Sequence, residues 1–174
     1  MTTMLWAIAA VVVASFLLVV LRGAPYVPSR KADVARAFDE VYQLRSSDLL
    51  VDIGAGDGVV CRMAAAQGAR AVGFEINPFL VLLARWLGRH QPRASVRLAD
   101  FWHATVPEGT TIVYTFGESR DVEKMAAWVE RQATALGRPL FFLSYAFELR
   151  SRKALRGNGT HYLYQIEPLQ RRDT

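Results

Sequence analysis

Hydrophobic positions in this chain fall into short runs separated by amphipathic stretches. The short apolar runs predict buried strands at 49–53, 71–75, 96–99, 111–115, 139–145 and 162–166. Apolar residues at helical spacing predict helices at 30–44, 59–67 and 121–136, and a further helix that begins at Asn77–Pro78. Strands that alternate with helices predict an α/β fold, in which a parallel sheet carries helices on both faces.

The N-terminal segment has a different pattern. Residues 4–21 are uncharged and mostly aliphatic, and as a helix they would span about 27 Å, close to the hydrocarbon core of a bilayer. We therefore expect a transmembrane helix, with a cleaved signal peptide or a buried core helix as alternatives. The predicted domains are an anchor at 1–22, a linker at 23–29 and a globular domain at 30–174.

Charge and composition add a predicted location and exclude some chemistry. Basic residues follow the apolar segment and none precedes it, so the positive-inside rule predicts a single-pass protein of a bacterial inner membrane with a cytosolic globular domain. The net charge is +5, but the basic residues form no long run, and we expect no nucleic-acid partner. The single cysteine, Cys61, excludes a disulfide scaffold, and the three histidines show no metal-ligand spacing.

Ligands of parallel α/β sheets bind at the carboxyl ends of the strands, so the residues after the first strand are a candidate site. There, Asp52 precedes a loop with glycines at Gly54, Gly56 and Gly58, which let the backbone turn tightly and let a ligand approach. A dinucleotide-binding fingerprint would need a third glycine at position 59, where the chain has Val59.

The acid before the glycines indicates the charge of the ligand. A carboxylate repels phosphate but attracts a cation, and S-adenosylmethionine carries an ammonium and a sulfonium group and no phosphate. We therefore expect S-adenosylmethionine as the cofactor. A generic strand–turn–helix loop is the alternative interpretation.

Further candidate side chains follow the next two strands. Glu75 ends the second strand, where its two oxygens can accept both hydroxyls of a ribose. Asp100 follows the third strand and can accept the adenine amino proton while Phe101 or Ile76 covers the base. Glu75 can also be read as a helix N-terminal acid, and Asp100 as a loop acid. The predicted cofactor site comprises Asp52, Gly54, Gly56, Gly58, Glu75, Ile76, Asp100 and Phe101.

The sequence VDIGAGDG with acids downstream resembles the class I S-adenosylmethionine-dependent methyltransferases. More narrowly, PYVPS at 25–29, GFEINPFLVLLAR at 73–85 and DFW at 100–102 follow an apolar N-terminal segment. This arrangement is similar to the small membrane-anchored protein lysine methyltransferases that act on the c-ring protein of mitochondrial ATP synthase and on the adenine nucleotide translocase, and to their bacterial relatives. The resemblance implies a Rossmann-like fold and cofactor contacts from Asp52, Gly54, Gly56, Glu75 and Asp100.

One departure concerns the residues after the fourth strand. The chain reads Thr115–Phe116–Gly117–Glu118 and lacks the Asn-Pro-Pro-aromatic signature of adenine- and glutamine-methylating enzymes, which disfavours DNA and release-factor substrates. Glu118 is the candidate catalytic residue, as a base or as an acceptor that orients an amine, or else an ordinary helix N-terminal acid.

Together these features predict a membrane-tethered methyltransferase that modifies a lysine of a membrane-associated protein. Two alternatives remain open at this point. The chain could methylate a lipid or another small molecule, or it could be a non-catalytic, membrane-bound module that binds the cofactor.

Overall fold

In the computed structural model of the chain, residues 2–7, 10, 13, 29–117 and 119–169 are described, and residues 2–7 are helical. The strands are β1 (Leu49–Ile53), β2 (Arg70–Glu75), β3 (Ala94–Leu98), β4 (Ile112–Thr115), β5 (Leu140–Tyr145), β6 (Arg156–Gly157) and β7 (His161–Ile166). The helices are α1 (Lys31–Arg36), which continues into a π-helical turn (Ala37–Val41), α2 (Val59–Ala66), α3 (Pro78–Leu87), a 3-10 turn (Phe101–His103) and α4 (Val122–Leu136).

The strands form one sheet in the order β3-β2-β1-β4-β5-β7-β6. β1 lies at the centre and pairs in parallel with both β2 and β4. The chain builds one half of the sheet from β1 to β3 and then returns to the other side of β1 with β4. This reversal creates a switch point between β1 and β4, where parallel α/β sheets bind their ligands.

The far side of the sheet departs from the parallel arrangement predicted from the sequence. β7 runs antiparallel to β5, with Leu140 opposite Ile166 and Tyr145 opposite His161, and β6 pairs antiparallel with β7. A parallel connection needs a long crossover, usually a helix. The segment 146–160 contains only the short β6 and no helix, so the chain returns in the opposite direction.

Helices cover both faces of the sheet, as predicted. On one face, α1 and its π-helical turn pack with α2 over β1 and β4, in a cluster that includes Val34, Phe38, Val60, Leu50 and Tyr114. On the other face, α4 packs through Trp128 and Val129 against Val51 and Val113. All five residues of β1 are buried, because the central strand of a two-sided sheet is apolar on both faces.

The start of α3 shows how the local sequence sets an element that borders the site. Asn77 caps the helix, since its Oδ1 accepts a hydrogen bond of 2.9 Å from the backbone N–H of Phe79, and Pro78 occupies the first turn. A capping amide and an N-terminal proline both favour a helix start. The helix predicted at Asn77–Pro78 is therefore confirmed.

The fold class needs one correction. The sequence predicted a transmembrane helix, but no helix among the described residues is long and apolar enough to cross a membrane. Of the predicted span 4–21, the structure describes 4–7, 10 and 13; its other residues and 22–28 of the predicted anchor and linker lie outside the described residues. The predicted single-pass location in an inner membrane, with the bilayer as partner, depended on that helix and is corrected with it.

Candidate active site

The loop between β1 and α2 forms the floor of the candidate site. Gly54, Gly56 and Gly58 have φ angles of +80°, +55° and +75°, a backbone conformation that glycine adopts at little cost. The backbone N–H groups of Gly54 and Ala55 donate to the carbonyl of Phe74 at 2.9 and 3.0 Å. The loop is thus fastened to the end of β2, in a shape that side chains would disfavour.

Gly54 also leaves open space above the loop. A Cβ built on this residue meets no heavy atom within 4 Å. The space is therefore available to a ligand, as the sequence predicted for this glycine.

Gly73, inside β2, was missed by the sequence analysis. A Cβ at this position would lie 2.5 Å from the Cβ of Ala55 and 3.1 Å from Cγ2 of Val96. The missing side chain lets the loop residue Ala55 pack directly on β2. A glycine in the interior of a buried strand marks such a close approach, and that signal was present in the sequence.

Glu75 lies at the end of β2, and backbone donors fix its carboxylate. Oε2 accepts from the N–H of Gly56 and Oε1 from the N–H of Asn77, both at 2.8 Å. The side chain is buried, and it ties the glycine loop to the start of α3. Each carboxylate oxygen keeps a second lone pair, so the oriented group can still accept hydroxyls of a ligand.

Asp52 is the electrostatically unusual residue of the site. It is 3% exposed, and its pKa is raised to about 8, first by burial and then by the negative charges of Glu75 and Asp57. No hydrogen bond is among the causes that set this pKa. A buried carboxylate of this kind is stabilised when a cation binds beside it.

Asp57 in the same loop already has a cationic partner. The Arg62 guanidinium lies 3.3 Å from Oδ2 of Asp57 and also donates to the Asp57 carbonyl. Oδ1 of Asp57 accepts from the N–H of Val59 at 3.0 Å and so supports the start of α2. Asp57 therefore stabilises the loop, whereas Asp52 remains available to a cation.

The other predicted cofactor residues border this floor in different ways. Ile76 is 38% exposed and can cover a base. Asp100 accepts from the N–H of Trp102 at 3.0 Å and pairs with Nδ1 of His103 at 3.1 Å. The N–H of Ala99, just before Asp100, donates to the carbonyl of Glu75 at 2.9 Å, which sets the two acids at neighbouring strand ends.

The ring of Phe101 has a packing role in the structure. Its centroid lies 4.4 Å from that of Trp102 and 5.7 Å from that of Trp128, the latter edge to face. Trp128 belongs to α4, so Phe101 anchors the 3-10 turn to that helix. Its predicted contact with the cofactor stays a prediction.

Aromatic side chains form a second wall at the ends of β4 and β5. Phe116 stacks on Tyr145 with a centroid distance of 4.3 Å, and Tyr145 stacks on His161 at 4.5 Å. The Tyr145 hydroxyl donates to Oδ2 of Asp33 at 2.8 Å, which links this wall to α1. We call Phe116, Tyr145 and His161 the aromatic wall.

Tyr114 connects the aromatic wall to Asp52. In the sheet it is the register partner of Asp52, and its ring hydroxyl lies 3.1 Å from Nε2 of His161. The pKa of Tyr114 is raised well above its usual value by burial and then by the Asp52 charge, and a hydrogen bond with Ser29 opposes this rise. Ser29 thus reaches this region, in line with the prediction that the 25–29 segment leads into the site.

The structure therefore groups most of the predicted residues at one edge of the sheet. Asp52, the glycine loop and Glu75 are joined by hydrogen bonds or charge interactions, and Asp100 follows at the next strand end. Glu118, the candidate catalytic residue, lies outside the described residues. Asp33, Tyr114 and His161 were not singled out from the sequence, because only the folded sheet brings them to the site.

Comparison with known proteins agrees with this architecture. No family model matches the chain. A solved RNA methyltransferase from Salinibacter ruber, in complex with S-adenosyl-L-homocysteine, superposes with a TM-score of 0.73 at 26% identity and covers 84% of this chain and 98% of its own. The fold is that of the class I S-adenosylmethionine-dependent methyltransferases.

Curated relatives narrow the resemblance. The chain is homologous to the lysine N-methyltransferases of the ATP synthase c-ring protein: the Homo sapiens enzyme is 32% identical over 111 residues, which cover 62% of this chain and 46% of the relative. The Mus musculus enzyme is 34% identical over 92 residues, which cover 51% of this chain and 36% of the relative. The chain thus matches less than half the length of these relatives. The resemblance predicted from the sequence is confirmed.

Proposed function

We propose that this chain is an S-adenosylmethionine-dependent methyltransferase that methylates a lysine amine of a protein. The observation that carries the proposal is the homology to lysine N-methyltransferases in a chain whose site residues lie where a methyltransferase binds its cofactor. The predicted cofactor class agrees with the Salinibacter ruber structure, which contains S-adenosyl-L-homocysteine. The acceptor lysine is the finer part of the proposal.

The described residues fit the cofactor by charge and by shape. S-adenosylmethionine supplies an electrophilic methyl group on a positively charged sulfur. Asp52 offers a buried carboxylate to the cationic end, and Glu75 offers oriented oxygens to the ribose. Gly54 leaves room for the ligand over the loop. Ile76 and Asp100 are proposed to hold the base between them.

Methyl transfer then requires a neutral amine in line with the methyl group. A lysine with a reference pKa of about 10.4 must lose its proton, which costs about 4.6 kcal/mol at pH 7. An apolar surrounding favours the neutral amine, and the aromatic wall with Tyr114 supplies one next to Asp52. Glu118 is proposed to accept the amine proton, or a hydrogen bond from the amine that directs the lone pair.

RNA is the second candidate acceptor. The specific observation in its favour is that the Salinibacter ruber neighbour, 98% of which is covered by this fold, is an RNA methyltransferase. Against it stands the segment 115–118, which lacks the Asn-Pro-Pro-aromatic signature of adenine-methylating enzymes. We therefore place protein lysine first.

A labelling experiment separates the two acceptors. Purified chain is incubated with methyl-tritiated S-adenosylmethionine and a cell extract, and half of each reaction is treated with ribonuclease and half with protease. We expect protease-sensitive label that mass spectrometry assigns to methyllysine, and about a hundredfold less label with Asp52→Asn. Label that only ribonuclease removes would assign the enzyme to RNA, and absence of label in both fractions would contradict methyl transfer.

A further inference from the structure

A cavity of about 400 Å³ lies between α2, α3 and β3, at the open edge of the sheet. Asp52, Glu75 and Asp100 do not line it, so it is separate from the candidate active site. Four arginines from three different elements line it: Arg62 from α2, Arg85 and Arg89 near the end of α3, and Arg97 from β3.

Most of this positive charge is not neutralised within the protein. In the part of the chain that the structure describes, Arg62 is the one of the four that pairs with a carboxylate, that of Asp57. Arg85 donates through Nε to the carbonyl of Val96 at 3.1 Å, and Arg89 through Nη1 to the carbonyl of Trp86 at 2.8 Å. These are neutral acceptors, so the guanidinium groups keep their charge and several free donors.

A second observation at the same cavity is an unsatisfied polar atom. Gln91 lines the cavity, and its Oε1 is buried without a hydrogen-bond partner among the described residues. A buried acceptor without a donor is unfavourable. A ligand that carries an O–H or N–H donor would let this amide turn toward the cavity and pair.

We propose that this cavity binds a phosphate-bearing ligand. A phosphate offers oxygens in several directions, which suits guanidinium groups that converge from α2, α3 and β3, and arginine binds phosphate through paired donors. A carboxylate presents two oxygens in one plane and no donor for Gln91. The volume is within the range of small-molecule pockets, and the phosphate belongs either to a small ligand or to an RNA backbone.

Calorimetric titration tests the proposal without any methylation assay. Pyrophosphate, a single-stranded RNA oligomer and a glutamate-rich peptide are each titrated into the full chain at physiological salt. The variants are Arg89→Gln and Arg97→Gln, both at exposed positions, and the matched control is Arg131→Gln, an exposed arginine of α4. We expect saturable pyrophosphate binding with one site per chain.

Loss of one charge-assisted contact should weaken that binding about tenfold in Arg89→Gln and Arg97→Gln and leave Arg131→Gln unchanged. RNA binding with the same dependence on Arg89 and Arg97 would assign the phosphate to a nucleic-acid backbone, and pyrophosphate binding alone would assign it to a small ligand. Binding of the peptide only, no saturable binding, or equal affinity in all variants would overturn the proposal. None of these outcomes depends on the proposed lysine acceptor.

Discussion

At the residue scale, Asp52 combines burial with a lack of counter-charge in the free protein. Its pKa of about 8 lies well above the value near 3.9 of an unfolded aspartate. Between these values the folded state binds more protons than the unfolded state. The contribution of Asp52 to the free energy of unfolding therefore decreases as the pH rises from about 4 to 8.

This linkage predicts a pH-dependent effect of Asp52→Asn. The variant should gain stability relative to wild type as the pH increases from 5 to 8, by up to about 1.4 kcal/mol per pH unit. Urea unfolding at pH 5, 6.5 and 8 measures the difference, and the exposed Asp39→Asn provides the control. Parallel stability curves for Asp52→Asn and wild type would show that the carboxylate is not buried as described.

Gly54 permits a test that separates ligand space from backbone strain. Gly54 and Gly137 have φ angles of +80° and +65°, and an added Cβ meets nothing within 4 Å at either position. Alanine should thus cost about 1 kcal/mol of stability at each position. We expect Gly54→Ala to weaken S-adenosylmethionine binding at least about tenfold, because its methyl group occupies the ligand space, and Gly137→Ala to leave it unchanged.

Thermal unfolding and calorimetry on the same samples supply both readouts. If Gly137→Ala weakened cofactor binding as much as Gly54→Ala, the loss would reflect strain or stability and not occupied space. Equal cofactor affinity in Gly54→Ala and wild type would remove the glycine loop from the proposed site.

The sequence identified those site residues whose meaning is local. Asp52, the loop glycines and Glu75 stand at the ends of apolar runs, and their positions follow from the period of the pattern. By contrast, Asp33 and Tyr145 are 112 residues apart in the sequence. Their contact depends on tertiary pairing, which no single-sequence pattern reports.

At the scale of elements, one hydrogen bond joins the first helix to the end of β5. The Tyr145 hydroxyl donates to Asp33 of α1, and the pKa of Tyr145 is raised, first by burial and then by this carboxylate. The bond holds α1 beside the aromatic wall. It is therefore the described contact through which α1 would affect an acceptor at this wall.

A double-mutant cycle measures this link. Tyr145→Phe keeps the ring stacked between Phe116 and His161 and removes only the hydroxyl, and Asp33→Ala removes the partner. We expect a coupling free energy of about 1 kcal/mol from urea unfolding of the two single variants and the double variant. Tyr162→Phe, which loses an exposed hydroxyl contact of 3.5 Å, should change stability by less than about 0.5 kcal/mol. Additive effects of Tyr145→Phe and Asp33→Ala would contradict the link between α1 and the wall.

The elements themselves were largely predictable. β1, β2, α3 and α4 follow directly from apolar runs and helical spacing, and their bounds agree with the predictions to within a residue or two. The direction of β7 was not predictable from its own residues, since it depends on the short connection after β5. The π-helical turn at Ala37–Val41 also lies inside a stretch whose periodicity indicates an ordinary helix.

At the scale of the whole molecule, the fold and the homology define a methyltransferase architecture, and the predicted membrane span is wrong for the residues that the structure describes. Hydropathy alone led to that prediction, because a run of about eighteen apolar residues matches a bilayer in length. The proposed substrate therefore rests on homology and on the aromatic wall. The chain also matches less than half the length of its curated relatives.

Titration of S-adenosylmethionine tests the proposed site most directly. Calorimetry at pH 7 in two buffers of different ionisation enthalpy gives the affinity and the number of protons released. Because Asp52 is mostly protonated at pH 7 when its pKa is about 8, binding of the cationic cofactor beside it should release between about half and one proton. We predict one site per chain with that proton release in wild type, and at least about tenfold weaker binding without it in Asp52→Asn; equal affinity and equal proton release in both proteins, or no saturable binding in wild type, would contradict the account.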